Sequence, residues 1–340
     1  MNTVIPLDVI GCADIFERAH AHGLDRLPKM WKLRSFTDPD KTKLYEFGKR
    51  YQVENLYSGV EQMLADFRDG AVLNCTPTAV HAEITIMALR SGRDVLSEKP
   101  MAMNCEEADA MLAAAQESKQ LLQLCFMSRF APCWMKIKEL IDSGAIGKIM
   151  STTMTQYWND PQLYDNWRTR ESVSGGGIIA DSVAHWIDIL RWLFGEISAL
   201  TAAGIPAPDS PMQKLDDTSF VLCKFTSGTL GCIRNSWRHQ RPCNEAETIE
   251  IYGTRGSIIG NLQTPWIDGG IQTVRLVCGD REEVTMFNDP MQRFANQLAE
   301  FGRLIRTRDT AATSGADGRR AQALQEAIYH AMREQCWLEV

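Results

Sequence analysis

Lys99 lies in the run Ser97-Glu98-Lys99-Pro100. A proline fixes its own φ and restrains the residue before it, so this lysine is aimed by its backbone rather than loosely solvated. An ammonium held in that way can orient a hydroxyl and offset alkoxide charge as it develops. A second chemical stretch begins at Gly175-Gly176-Gly177 and continues to Asp181, His185 and Asp188. The spacing i, i+4, i+7 puts these three on one helix face, while Ile179, Val183, Trp186, Ile187, Leu190 and Leu193 form the packing surface. A carboxylate one turn from an imidazole can fix its tautomer and make it a general base. Asp-x-x-x-His supplies no clear third metal ligand, so no metal is expected there.

The elements that must position Lys99 follow from periodicity. Ala71–Cys75 reads as a buried strand, Thr76-Pro77-Thr78 as a turn, and the next stretch as a helix with apolar Ile84, Met87, Ala88 and Leu89, stopped at Gly92. Asp94–Leu96 is a second strand, completing a βαβ unit. Ligands in such sheets lie beyond the carboxyl ends of the strands, where Thr76-Pro77 and Glu98-Lys99-Pro100 both fall. Upstream, the strand Pro6–Ile10 runs into Gly11-Cys12-Ala13-Asp14-Ile15-Phe16, the place of a G-x-G-x-x-G phosphate loop. Ala13 and Phe16 replace two of its glycines, which predicts a retained pyrophosphate site of weakened affinity. The strand Lys32–Phe36 ends at Asp38, where a carboxylate can accept from the adenosine ribose and repel a 2′-phosphate, favouring NAD over NADP. A helix over Met103–Ser118, begun by Asn104 with Glu107 three residues on, and a strand Leu121–Phe126 complete an alternating α/β pattern.

Taken together, C-T-P-x-x-x-H from Cys75 to His81 and E-K-P at Glu98 to Pro100 resemble the Gfo/Idh/MocA oxidoreductases, NAD(P)-dependent enzymes acting mostly on sugars and polyols. The likeness continues in R-F-x-P at Arg129, in G-x-I-G-K-I at Gly144, and in G-G-G-x-x-x-D-x-x-x-H-x-x-D followed by W-L-F-G. It implies that Lys99, Asp181 and His185 are catalytic. His185 would be the general base, Lys99 would orient the substrate hydroxyl, and Asp181 would bind an adjacent hydroxyl; the roles of Lys99 and His185 can be exchanged. Val183 stands where the family usually has a small residue, which would narrow the substrate pocket. Candidate cofactor contacts are Gly11, Cys12, Ala13, Asp14, Ile15, Asp38, Cys75, Thr76, Pro77, His81, Glu98, Lys99, Arg129, Trp167 and Arg168. Candidate substrate contacts are Lys99, Tyr157, Trp158, Arg168, Asp181 and His185. The expected activity is hydride transfer between a secondary hydroxyl of a sugar, polyol or sugar derivative and NAD. Two alternatives are an NAD-dependent glycoside hydrolase working by transient oxidation and elimination, and a non-catalytic nucleotide-binding or regulatory protein.

A chain of 340 residues suits two domains. The expectation is an N-terminal Rossmann domain over 1–126, with a doubly wound parallel sheet, and a substrate-binding and oligomerisation α+β domain over 127–340, with a large, mostly antiparallel open sheet. Such a sheet with one uncovered apolar face commonly associates, so a homodimer or homotetramer is expected. The formal net charge is −7, and no basic run or aromatic-interleaved patch points to nucleic acid. No signal peptide pattern or long apolar span appears, and the ten cysteines are scattered without a C-x-x-C pair. A cytoplasmic protein with reduced thiols and no membrane partner is the expectation.

Overall fold

A computed structural model describes residues 4–157, 167–206, 215–238, 247–262 and 270–340. The chain divides into two compact units, one of residues 1–127 with 293–322 and the other of 128–292 with 323–340.

The first unit holds six parallel strands: β1 (Ile5–Ile10), β2 (Trp31–Thr37), β3 (Asn55–Tyr57), β4 (Ala71–Asn74), β5 (Asp94–Ser97) and β6 (Leu122–Leu124). Their order is β3-β2-β1-β4-β5-β6, so the winding reverses between β1 and β4. That reversal opens a crevice at the carboxyl ends, the usual ligand position of a doubly wound sheet. The strands are apolar on both faces because helices cover both, and β4 and β5 are buried throughout. One polar residue interrupts the apolar run of β1. Asp8 is fully buried, takes Arg34 through Nε at 2.9 Å and Ser35 Oγ at 2.6 Å, and pairs with the fully buried Arg93. An isolated carboxylate would be untenable there, and two guanidiniums together with a hydroxyl make it stable. The capping signal at Asn104 is realised: its side chain accepts from Glu107 N–H at 2.8 Å, and Glu107 in turn accepts from Met103 N–H at 3.0 Å.

Residues 293–322 were expected with the second domain and belong instead to the first unit. The reason is apolar packing. In the helix Gln292–Thr307, Leu298 and Phe301 are fully buried in the same core as Leu7, Val9 and Phe36. Phe301 stacks on Trp31 with ring centroids 5.8 Å apart, and Trp31 Nε1 donates to the Leu298 carbonyl at 3.2 Å.

The second unit is built on a sheet of nine strands among the described residues: β7 (Ile149–Tyr157), β8 (Ile197–Ile205), β9 (Thr218–Phe225), β10 (Leu230–Ser236), β11 (Glu247–Gly253), β12 (Ser257–Asn261), β13 (Gln272–Cys278), β14 (Arg281–Phe287) and β15 (Leu338–Glu339). All neighbours are antiparallel except β7 and β10. β9 alternates buried and exposed residues along its length, as a sheet with one covered face requires. In β14, Arg281, Glu282 and Glu283 are exposed and break the alternation, a composition suited to an edge strand. Phe301→Ala is expected to cost about 3–5 kcal/mol of stability, read as a lower urea midpoint with an unchanged slope.

Candidate active site

In the first unit the crevice is lined by three strand-end loops. Gly11 has φ +96°, and a Cβ there would lie 2.8 Å from the carbonyl carbon and oxygen of Cys75, so only glycine lets the loops after β1 and β4 meet. The next amide, Cys12 N–H, donates to Asp38 Oδ2 at 2.8 Å, and Asp40 N–H donates to Asp38 Oδ1 at 2.8 Å. Asp38 is thereby fixed beside the glycine loop at the end of β2, where a ribose acceptor must stand. Asp14 is exposed, Ala13 and Ile15 are partly so. Phe16 turns away from the loop into a ring cluster with Phe36 at 5.2 Å and Tyr51 at 5.1 Å, and it is fully buried. Its bulk therefore fills the core beneath the loop. These residues fit a dinucleotide: a close backbone turn at Gly11 and a seated carboxylate at Asp38.

Cys75 is buried, whereas Thr76 and Pro77 are partly exposed at the loop surface. Burial pushes the Cys12 thiol up to about 12, helped by Asp38, and raises those of Cys75 and Cys125 well above the ordinary value, helped by Glu98. These sulfurs stay protonated and act as small apolar groups rather than nucleophiles. His81 lies between two loops, with Nδ1 2.8 Å from the Pro100 carbonyl and Nε2 2.7 Å from that of Thr76, in a site that is 1% exposed, and the neutral ring donates its one N–H to one of the two. Its burial lowers its pKa. Glu98 is buried and Lys99, which follows it, is partly exposed.

In the second unit the glycine run explains itself by crowding. A Cβ on Gly177 would fall 2.0 Å from the Asp216 carbonyl oxygen, and one on Gly176, whose φ is +155°, 2.1 Å from the Tyr329 hydroxyl. Asp216 clamps the following residues: its carbonyl accepts from Ile178 N–H at 2.8 Å and its Oδ2 from Ile179 N–H at 2.9 Å. Tyr329 donates its hydroxyl to Asp216 Oδ1 at 3.0 Å and accepts from Gly177 N–H at 3.0 Å. From this anchor the chain makes a π-helical turn, Ile179–Val183, and then the α-helix Ala184–Phe194. Asp181 and His185 are both partly exposed on this segment, and Val183 is fully buried. Arg168 lies across the Trp167 ring at 4.6 Å and brings its Nε to 3.6 Å from Asp181 Oδ1. A half-shielded carboxylate beside a guanidinium is suited to gripping vicinal hydroxyls.

Asp188 does not share this surface. It is fully buried and takes Arg129 through Nε at 2.8 Å and a second guanidinium nitrogen at 2.5 Å, so the wide π turn and the ion pair set it apart from Asp181. Arg129, a candidate cofactor contact, is thus committed to Asp188 within the second unit. Tyr157 ends β7, opposite Ser236, and Trp158 lies outside the described residues. Asp216 and Tyr329 were missed, since an acidic turn and a tyrosine in an amphipathic helix carry no local signal; only the unexplained triple glycine hinted that something approaches closely.

Burial raises the Asp216 carboxyl to about 6, against the hydrogen bonds it accepts. The folded state therefore holds its proton more tightly than the unfolded chain, and the stability this contributes, full below the unfolded value, is lost as pH rises through 6. Asp216→Asn, which lacks that titration, should gain on the parent by about 2 kcal/mol between pH 4.5 and pH 7 in denaturation experiments.

Two family models match the chain. Residues 7–126 fit the oxidoreductase family with an NAD-binding Rossmann fold, and residues 134–259 fit the GFO/IDH/MocA C-terminal domain. The chain is 31% identical over 242 residues to levoglucosan dehydrogenase of Pseudarthrobacter phenanthrenivorans, covering 64% of this chain and 62% of that one. It is 27% identical to myo-inositol 2-dehydrogenase of Thermotoga maritima, over 89% of each. A solved structure of levoglucosan dehydrogenase with NADH and levoglucosan superposes with a TM-score of 0.88 at 24% identity, covering 99% of this chain and all of that one. With its crossover crevice, its seated Asp38 and both domain models in place, this chain belongs to the GFO/IDH/MocA family of NAD-binding oxidoreductases.

Proposed function

We propose that this protein is an NAD-dependent dehydrogenase that oxidises a secondary hydroxyl of a sugar, polyol or sugar derivative. The observation that carries the reading is Asp38 held at the end of β2 by the Cys12 amide, next to a glycine turn that admits close backbone approach. NAD, when bound, supplies the hydride acceptor. Gly11 through Ile15, Asp38, Thr76 and Pro77 would hold it. Lys99 orients the reacting hydroxyl and offsets its developing charge; His185 takes the hydroxyl proton; Asp181, with Arg168, grips a neighbouring hydroxyl. The substrate class is supported by relatives named for levoglucosan and myo-inositol.

Among the described residues no helix is long and apolar enough to cross a membrane. A cytoplasmic location is in keeping with free cysteines throughout those residues. The sheet of the second unit presents Phe220, Leu222 and Leu230 at 45%, 46% and 56% exposure. These follow the outward register of β9 and β10, where Leu222 sits opposite Cys232 and Leu230 opposite Lys224. A second copy of the chain, as a homodimer or homotetramer, is the proposed cover for this face.

The reading is tested by screening inositols and anhydrosugars for stoichiometric NADH formation, which a redox-neutral glycosidase would not release. Lys99→Met and His185→Gln should each lower kcat by at least about 10²-fold with NAD affinity nearly unchanged in calorimetry, and near-parental turnover would remove that residue from the mechanism. Asp38→Ser should raise NADP affinity relative to NAD. Leu222→Glu should shift the sedimentation mass toward the monomer; a parent already monomeric at micromolar concentration would refute the proposed association.

A further inference from the structure

We infer that His20 is a positioning residue for Lys99, acting through the buried carboxylate of Glu98. The inference rests on the reading of Lys99 as catalytic. His20 is the last residue of a π-helical turn, Phe16–His20, that follows the glycine loop. Such turns hold one residue more than an α-helical turn and are frequent at functional sites. The turn delivers the imidazole into a site where it is 1% exposed, edge-on to Phe294 with ring centroids 6.0 Å apart. There Nε2 lies 2.8 Å from Glu98 Oε1. The other carboxylate oxygen of Glu98 accepts from the Lys99 backbone N–H at 3.2 Å, and the Glu98 amide donates to the Asn74 carbonyl at 2.9 Å. His81 Nδ1 lies 2.8 Å from the carbonyl of the next residue, Pro100. Lys99 is thus flanked by two histidine contacts, at Glu98 on one side and at Pro100 on the other.

A carboxylate only 7% exposed is stable if its lone pairs are satisfied, and His20 meets Oε1 at 2.8 Å, with the Cys125 thiol a further partner of the carboxylate. Removing the imidazole leaves Oε1 to seek another donor, and because Oε2 of the same carboxylate accepts from the Lys99 backbone N–H, a shift of the Glu98 side chain acts on the segment that carries Lys99. The metal-ligating atoms of His20, Glu98 and Cys125 lie within 4.8 Å of one another. His20 and Glu98 of this group already share a hydrogen bond, and the group is read as a brace, with bound zinc as the opposing outcome of the test.

The test uses the whole 340-residue chain and needs no substrate. Pulses of acetic anhydride at fixed pH, followed by peptide mass spectrometry, give the acetylation rate of Lys99 relative to the exposed Lys41 and Lys49. His20→Phe, which keeps a ring among aromatic neighbours, should change the relative rate of Lys99 by about fivefold, the effect of one lost hydrogen bond on local populations. His20→Gln, whose amide can donate, should return it toward the parent value. Glu98→Gln should change it alone, and adding His20→Phe to that variant should change it no further; this arm stands even where His20→Phe folds poorly. An unchanged Lys99 rate in His20→Phe, an additive double variant, or stoichiometric zinc in the purified parent would overturn the inference. Retained turnover in Lys99→Met would instead remove the catalytic reading, while the labelling still decides whether His20 sets Lys99.

Discussion

The crowding of backbone at the carboxyl ends of β1 and β4 is the constraint on which the nucleotide half depends. Because the loops meet at a glycine with no space for a methyl group, the amide after it is presented to Asp38 rather than to its own helix. The same contact fixes where β2 must end and where the β4 loop must turn. On the proposed reading, affinity and specificity for the nucleotide would come from two different kinds of group, main-chain dipoles and one carboxylate. Neither requires the missing glycines, since Phe16 spends its volume in the core.

Charge is handled in two ways. Asp8 with Arg93, and Asp188 with Arg129, are ion pairs closed within the protein. They hold the scaffold, and breaking either would strand a buried charge. Asp181 with Arg168 is looser, at 3.6 Å with 21% and 29% of the side chains exposed. The first two pairs are shut away from solvent, whereas this one lies where a ligand could reach it.

Most of the fold was legible because its signals are local. The strand-turn-helix order around Lys99 and the cap at Asn104 both follow from a few neighbouring side chains. What escaped depends on contacts far apart in the chain. The return of Gln292–Thr307 to the first unit is decided by Trp31, more than 250 residues upstream. The clamp of Asp216 and Tyr329 on Gly177 joins three separated segments. At the candidate site, Lys99, Asp38, Asp181 and His185 stood out by type and spacing. Asp188 was placed on the same face because regular α periodicity was assumed, and the chain departs from it just there.

Both π turns, Phe16–His20 and Ile179–Val183, have a consequence for how this chain can change length. Each carries one residue more than an α turn needs. A single deletion inside either would convert it to a regular α turn and leave the helix on both sides in nearly its present register, because the wide turn is what absorbs the additional residue. In comparisons among relatives, one-residue gaps at these two places are therefore expected to change the side chains carried by the turn itself, His20 in one and Asp181 in the other among them, and to leave the helix on either side aligned.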